Sequence, residues 1–291
     1  WYFRIFKTMK VDLQDYNTNI KNTWCPGCGN FAIHMALKKA LVDLGKHPSE
    51  VVMVFDIGCN GNGADKIEGF RVKGLHGRAI PLAVGCHLAN RKMTVIADAG
   101  DGGVLHEGID HLIHAVRSNY DITLLIHNNE SFSLTTGQIT ATTKKGKSMY
   151  AFPDGRTEGE INIGELVLSL NPSFYARGFS GDPNGLSEII KEGIKHKGFS
   201  VIEIVQTCPT YSPENSLDLL KSKMINVVPT DDISKAQKRV TNKEKIYTGV
   251  IYQNKKMKDY YSNLKNRKDR KSELVNEVKN YTISSILYDL E

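Results

Sequence analysis

The sequence predicts an α/β fold: a doubly wound, mostly parallel sheet with a helical, basic C-terminal extension. Two observations carry that expectation. Four apolar runs, at 51–55, 94–97, 122–126 and 201–205, are near-continuous rather than alternating, as strands buried on both faces must be. Between them lie stretches with apolar residues at helical spacing, and strands alternating with helices build a parallel sheet.

Taken in order, a first helix is expected from Phe31 to Leu44, and the first strand ends in Ile57-Gly58-Cys59-Asn60-Gly61. A loop with His76 between Gly74 and Gly77 leads to a helix through Val84-Gly85-Cys86-His87-Leu88, which reads as buried. The second strand ends in Gly100-Asp101-Gly102-Gly103. A single helix from about Val104 follows, with Leu105, Ile109, Leu112, Ile113 and Val116 on its apolar stripe. The third strand ends in Asn128-Asn129. Leu186, Ile189, Ile190 and Ile194 mark a further helix before the fourth strand, which ends in Thr207-Cys208-Pro209. Beyond residue 212 the composition turns polar and lysine-rich, with helix-like segments and no further buried strand pattern. The expected division is therefore an α/β domain over 1–212 and an extension over 213–291 that wraps the domain or a partner.

Composition narrows the function. Of 291 residues, 40% are hydrophobic and 24% charged, ordinary for a soluble globular protein. No apolar stretch approaches the roughly 20 residues a bilayer demands, so no membrane role and a cytoplasmic location are expected. The aromatic, basic opening from Trp1 to Lys7 is too short for a signal-peptide core, and Met9 offers a natural start. The net charge is +6, with its basic density in Lys255 to Lys258 and Lys265 to Lys271. Such runs read as solvated helix faces, or as docking surface for an acidic protein; no nucleic-acid-binding pattern accompanies them.

All four loaded loops fall at the carboxyl ends of strands, where open α/β sheets bind ligands. Cys25-Pro26-Gly27-Cys28 offers two thiols from one loop, and Cys59 and Cys208 bring two more from distant segments. Four thiolates suit either a structural zinc or an iron–sulfur cluster, and an odd total of five cysteines argues against a disulfide framework. Cys86, inside a helix, reads as a small apolar residue. Asp101 and Asn129, each after a strand, offer hard oxygen ligands to Mg²⁺, and Gly100, Gly102 and Gly103 let backbone approach a diphosphate. Gly-Asp-Gly alone marks a tight turn; its pairing with Asn128-Asn129 at the next strand end makes it a site. His76 is either a donor to that diphosphate or to a reacting carbonyl, or a loop histidine bonded to backbone. His106, Glu107, Asp110, His111 and His114 read as one polar helix face, Glu107 and His111 forming at most an incomplete metal pair. Lys144 to Lys147 read as a solvated loop, or as a contact for an anionic substrate, coenzyme A or a partner chain.

Trp24-Cys25-Pro26-Gly27-Cys28-Gly29, Gly58-Cys59, Leu75-His76-Gly77-Arg78-Ala79-Ile80-Pro81, Gly100-Asp101-Gly102, Asn128-Asn129, Leu134-Thr135-Thr136-Gly137-Gln138, Cys208-Pro209-Thr210 and Tyr247-Thr248-Gly249 occur in that order. From about residue 10 to 255 the chain thus resembles the beta subunit of the 2-oxoacid:ferredoxin oxidoreductases. The resemblance implies a 4Fe–4S cluster on Cys25, Cys28, Cys59 and Cys208. It further implies Mg²⁺ on Asp101, Asn129 and the Ser131 carbonyl. Thiamine diphosphate would be lined by Ile57, Gly58, Cys59, Asn60, His76, Gly102, Gly103, Ser133 and Leu134. Implied too are oxidative decarboxylation of a 2-oxo acid, transfer of the acyl group to coenzyme A, and electrons passed to ferredoxin. The glutamate that activates thiamine belongs, in this family, to a separate alpha subunit, so a heterotetramer or larger assembly is expected. The chain departs from the family pattern at Gly103, often aspartate; at Phe132-Ser133-Leu134-Thr135, often Tyr-Gly-Leu-Thr; and at Asn60, often serine. Two other classes stay open on the residues alone: a non-redox thiamine enzyme with structural zinc, and an electron-transfer module that only carries a cluster.

Overall fold

A computed structural model of the chain describes residues 10–267 and 269–278. Trp1 to Met9, Lys268 and the residues after 278 lie outside them, and with them the expectations placed on the opening segment. In chain order the first half runs α1 (Asn30–Asp43), β1 (Val51–Phe55), α2 (Gly58–Gly61), β2 (Phe70–Lys73), α3 (Ala79–Ala89) and β3 (Thr94–Gly100). Next come α4 (Asp101–Leu105), α5 (Ile109–Ser118), β4 (Thr123–Asn128), α6 (Ile163–Ser169), β5 (Phe174–Phe179), α7 (Pro183–Lys195) and β6 (Ser200–Val205). The C-terminal part contributes α8 (Leu217–Lys223), β7 (Met224–Asn226), α9 (Ile233–Val240), β8 (Ile246–Gln253) and α10 (Leu274–Glu277).

The strands form one sheet in the order β2-β1-β3-β4-β6-β5-β8-β7. The first six in that order are parallel, and β8 enters antiparallel to β5. Side chains alternate across the sheet, as the pleat requires. Val54, Val95, Ala97, Leu124 and Val201 face a core closed by Ile80 of α3, Leu112 and Val116 of α5, Val167 of α6 and Val240 of α9. Met53, Phe55, Ile96, Leu125 and Ile202 face the other core, closed by Ile33, Leu37 and Leu41 of α1 and by Leu186 and Ile190 of α7. Helices on both faces make the sheet doubly wound, as expected. Strand order reverses between β1 and β3, so the loops that leave them diverge and open a crevice.

Four expectations are corrected. The segment after 212 is not exclusively helical: β8 joins the main sheet and buries Val250, Ile251 and Tyr252. Its run is broken by Gly249, which hid it. The helix expected from Val104 starts at Asp101 and breaks at Gly108, which leaves His106 and Glu107 between α4 and α5 rather than on one face with His111. The helix bearing Cys86 is half-buried rather than buried, with Gly85 exposed and Cys86 intermediate. The basic residues at 255–258 and 265–267 lie in turns and extended segments, not on helix faces. Among the described residues no helix is long and apolar enough to cross a membrane.

Candidate active site

Register brings the strand ends level: Phe55 pairs with Asp98, Gly100 with His127, and Asn128 with Val205. Beyond them opens a cavity of about 530 Å³. Ile57, Gly58, Cys59 and Asn60 line it from α2 and its entry, and Gly100, Asp101, Gly102 and Gly103 from the turn into α4. Asn129, Ser131, Ser133 and Leu134 follow β4, and His76 enters from the loop after β2. All the residues anticipated for diphosphate and Mg²⁺ thus meet around one cavity. Asn30, Lys73, His106, Glu107, His127, Phe132, Gln138 and Gln206 line it too and were not anticipated as site residues.

Asp101 is the most constrained of them. Its carboxylate is 2% exposed, and Oδ2 accepts the hydroxyls of Thr140 and Thr142, each at 2.5 Å. Burial pushes its pKa up to about 6, against the pull of those two hydroxyls, with Glu130 adding to the rise. A carboxylate held against its desolvation in this way is a ready ligand for a hard cation. Asn129 Oδ1 accepts the Ser131 N–H at 3.0 Å, which turns the chain after β4 back over the cavity.

Packing explains two of the glycines. A Cβ on Gly102 would lie 2.3 Å from the Phe132 ring, and one on Gly103 would lie 2.5 Å from Asp56 Oδ2. The Asp56 carboxylate therefore fills the space that a side chain at residue 103 would need. Asp56 is buried and accepts the N–H groups of Ile57 (2.7 Å) and Gly77 (3.2 Å), tying the loop of Ile57 to the loop of His76. Burial raises its pKa. Asn60 donates through Nδ2 to the Asp98 carbonyl (3.0 Å) and to Asp98 Oδ1 (3.2 Å). His127 bridges Asp98 Oδ2 (3.2 Å) and Asn30 Oδ1 (2.9 Å). His76 stands at the mouth, its side chain 63% exposed, with Nδ1 3.0 Å from Glu107 Oε1. Glu107 is therefore the partner of His76 rather than of His111.

A second cavity of about 180 Å³ opens alongside, lined by Cys25, Cys28, Cys59 and Cys208 together with Trp24 and Gln206. The turn Cys25–Cys28 closes with a Cys28 N–H to Cys25 carbonyl bond (3.1 Å), and Gly27 takes the φ of +77° that this turn needs. Trp24 Nε1 donates to the Cys59 carbonyl at 2.6 Å. Burial pushes the Cys59 thiol up to about 12, and Cys28, Cys208 and Cys25 add to the rise. Burial likewise raises Cys28. Four thiols converge, while Cys86 sits apart on α3. Among the described residues, however, no three His, Cys, Asp or Glu side chains are grouped to hold a single metal ion. A mononuclear tetrahedral site needs each sulfur about 2.3 Å from one centre; the four thiols instead line a common cavity.

The two cavities share a wall made of Cys59, Asn129, Ser133, Leu134 and Gln206. Three buried polar atoms on the larger cavity's lining, Asn30 Nδ2, Glu107 Oε2 and Gln206 Oε1, have no partner among the described residues. Native interiors rarely leave such atoms unpaired, and a polar ligand in the cavity fits them.

The fold and this edge define the thiamine diphosphate-binding class of α/β domain. Residues 56–204 match the family model of the thiamine pyrophosphate enzyme C-terminal TPP-binding domain, and 208–269 match that of the C-terminal part of the pyruvate ferredoxin oxidoreductase beta chain. A 2-oxoacid:ferredoxin oxidoreductase subunit beta from Sulfolobus is 36% identical over 84% of this chain and 86% of its own length. The equivalent beta chain from Saccharolobus solfataricus is 42% identical over 66% of this chain, which spans 63% of that relative. A solved 2-oxoglutarate:ferredoxin oxidoreductase from Magnetococcus marinus, with 2-oxoglutarate, coenzyme A and succinyl-CoA bound, superimposes with a TM-score of 0.87 over 98% of both chains at 25% identity. The chain belongs to the family of 2-oxoacid:ferredoxin oxidoreductase beta subunits.

Proposed function

We propose that this chain is the cofactor-bearing subunit of an enzyme that oxidatively decarboxylates a 2-oxo acid, transfers the acyl group to coenzyme A and passes the electrons to ferredoxin. The observation that carries the reading is the shared wall. A cavity rich in diphosphate-type ligands and a cavity lined by four thiols are separated by single side chains. Thiamine diphosphate supplies an electron sink for decarboxylation, and a 4Fe–4S cluster supplies one-electron transfer.

The chain's own residues bind, orient and shield. Asp101, Asn129 and the Ser131 carbonyl would hold Mg²⁺ on the diphosphate, and Cys25, Cys28, Cys59 and Cys208 the cluster. Asp56 fixes the two loops that bring Ile57 and His76 to the rim. His76, held by Glu107, would donate to the substrate carbonyl or to the diphosphate at the open mouth. The relatives' naming as ferredoxin oxidoreductases supports a cluster over a structural zinc.

The names of the relatives support an alpha subunit as partner, in a heterotetramer or larger assembly. The test is anaerobic assay of the chain with and without a co-expressed alpha subunit, against a panel containing pyruvate, 2-oxoglutarate, and branched-chain and aryl 2-oxo acids. The complex should reduce ferredoxin and form acyl-CoA with at least one of them; the chain alone should do neither. Zinc in place of iron in the active complex overturns the redox reading.

A further inference from the structure

We infer that Gln206 sets the reduction potential of the cluster by donating a hydrogen bond to the sulfur of Cys28; the inference rests on the four-thiol reading above. Gln206 follows β6 immediately, and its backbone N–H is bonded to the Asn128 carbonyl at 3.0 Å. Its side chain is 3% exposed and lines both cavities. Nε2 lies 3.8 Å from Cys28 Sγ, within the reach of an N–H···S bond, while Oε1 is buried without a protein partner among the described residues.

The neighbourhood is shaped to hold this side chain against the thiol loop. The Gly29 N–H donates to the Thr207 carbonyl at 3.1 Å, which clamps the Cys25–Cys28 turn to the end of β6. A Cβ on Gly29 would lie 2.7 Å from Gln206 Cγ and 2.7 Å from Ser180 Oγ. Only glycine leaves room for Gln206 to lie flat there. Ser180 Oγ in turn accepts the Thr207 N–H at 3.2 Å, so the strand end is pinned on both sides.

Hydrogen bonds to cluster sulfurs favour the reduced state, because reduction adds negative charge to the cluster and its ligands. An amide donor on Cys28 therefore raises the potential.

The test uses the full chain in its alpha-containing complex, purified anaerobically and free of thiamine diphosphate. Iron and acid-labile sulfide are measured first, then the cluster midpoint by EPR-monitored redox titration. Gln206→Leu should keep wild-type iron and shift the reduction equilibrium about tenfold toward the oxidised cluster, a fall of about 59 mV. Gln206→Glu keeps the shape, replaces the donor by an acceptor and should lower the midpoint further. Gly29→Ala keeps the amide but displaces it, and should lower the midpoint without a change at residue 206. Equal midpoints for wild type and Gln206→Leu, both with full iron, overturn the inference and leave the cluster reading standing. A wild-type complex that holds no iron overturns the cluster reading itself and the inference with it.

Discussion

At the amino ends of β4, β5 and β6, buried polar groups close on one another. Asn119 Oδ1 accepts the Ser173 hydroxyl (2.6 Å) and the Phe199 N–H (2.8 Å), and Asn119 Nδ2 donates to the Lys258 carbonyl (2.9 Å). Ser173 Oγ meets His196 Nε2 at 2.8 Å, and Gln253 Nε2 meets His196 Nδ1 at 3.4 Å. At the carboxyl edge of the same sheet, Asn30, Glu107 and Gln206 each keep an atom without a partner among the described residues, and Asp101 is buried at a cost. The amino-end network is finished by the chain itself, whereas the carboxyl edge keeps three lining atoms that a polar ligand would satisfy. Stability and function are thus lodged at opposite edges, and substitutions at the two should separate them.

The sharpest break is at the thiols. Cys208→Ser should leave the complex without bound iron, whereas full iron with a wild-type EPR signal would remove Cys208 from the site. Next comes the closed edge. Asn119→Ala strips partners from Ser173, Phe199 and Lys258, and places alanine at a φ of +58°. The expected cost is about 2–4 kcal/mol, read as a lower urea midpoint with unchanged thiamine diphosphate affinity. If affinity falls along with stability, the two edges are not separable.

A gentler probe is pH. Burial holds His196 down at about 4 against an ordinary 6.5. Above 6.5 both folded and unfolded chains carry it neutral. Between 6.5 and 4 the unfolded chain takes the proton first, so stability falls as the pH falls through that window. His34, also lowered to about 4 by burial, adds to the same slope. His196→Gln should flatten it in part; an unaltered slope would mean His196 is not buried neutral. The smallest effect is expected at Cys86. Cys86→Ser, on half-buried α3, should change stability by about 1 kcal/mol or less and leave iron content alone.

The sequence made the carboxyl edge more legible than the frame around it. Cys25, Cys28, Cys59, Asp101, Asn129 and Cys208 sit in loops and strand ends, where Gly, Asn and Cys stand out against apolar runs. β5 escaped notice because Arg177 interrupts it. That charge is buried only because Glu203 on β6 meets it at 2.9 Å, a pairing between strands that no local pattern reveals. The edge strand β2 is exposed throughout and carries no buried run. Glu107 and Gln206 were missed as site residues for a similar reason. Glu107 becomes one only because Gly108 breaks the helix, and Gln206 only because the Cys28 turn folds against β6. His127 ends an apolar run directly before Asn128-Asn129, a position that marks it for the cavity.

The central claim is that the carboxyl edge is completed by Mg²⁺ and thiamine diphosphate through Asp101. Calorimetric titration of thiamine diphosphate into the alpha-containing complex, with and without Mg²⁺, tests it most directly. Wild type should bind in a Mg²⁺-dependent manner. Asp101→Ala should bind about a hundredfold more weakly or worse, a loss of about 3 kcal/mol, with iron content retained and a urea midpoint no lower than that of wild type. Equal affinity in the two proteins, or a loss of affinity that only tracks a loss of folded protein, would contradict the account.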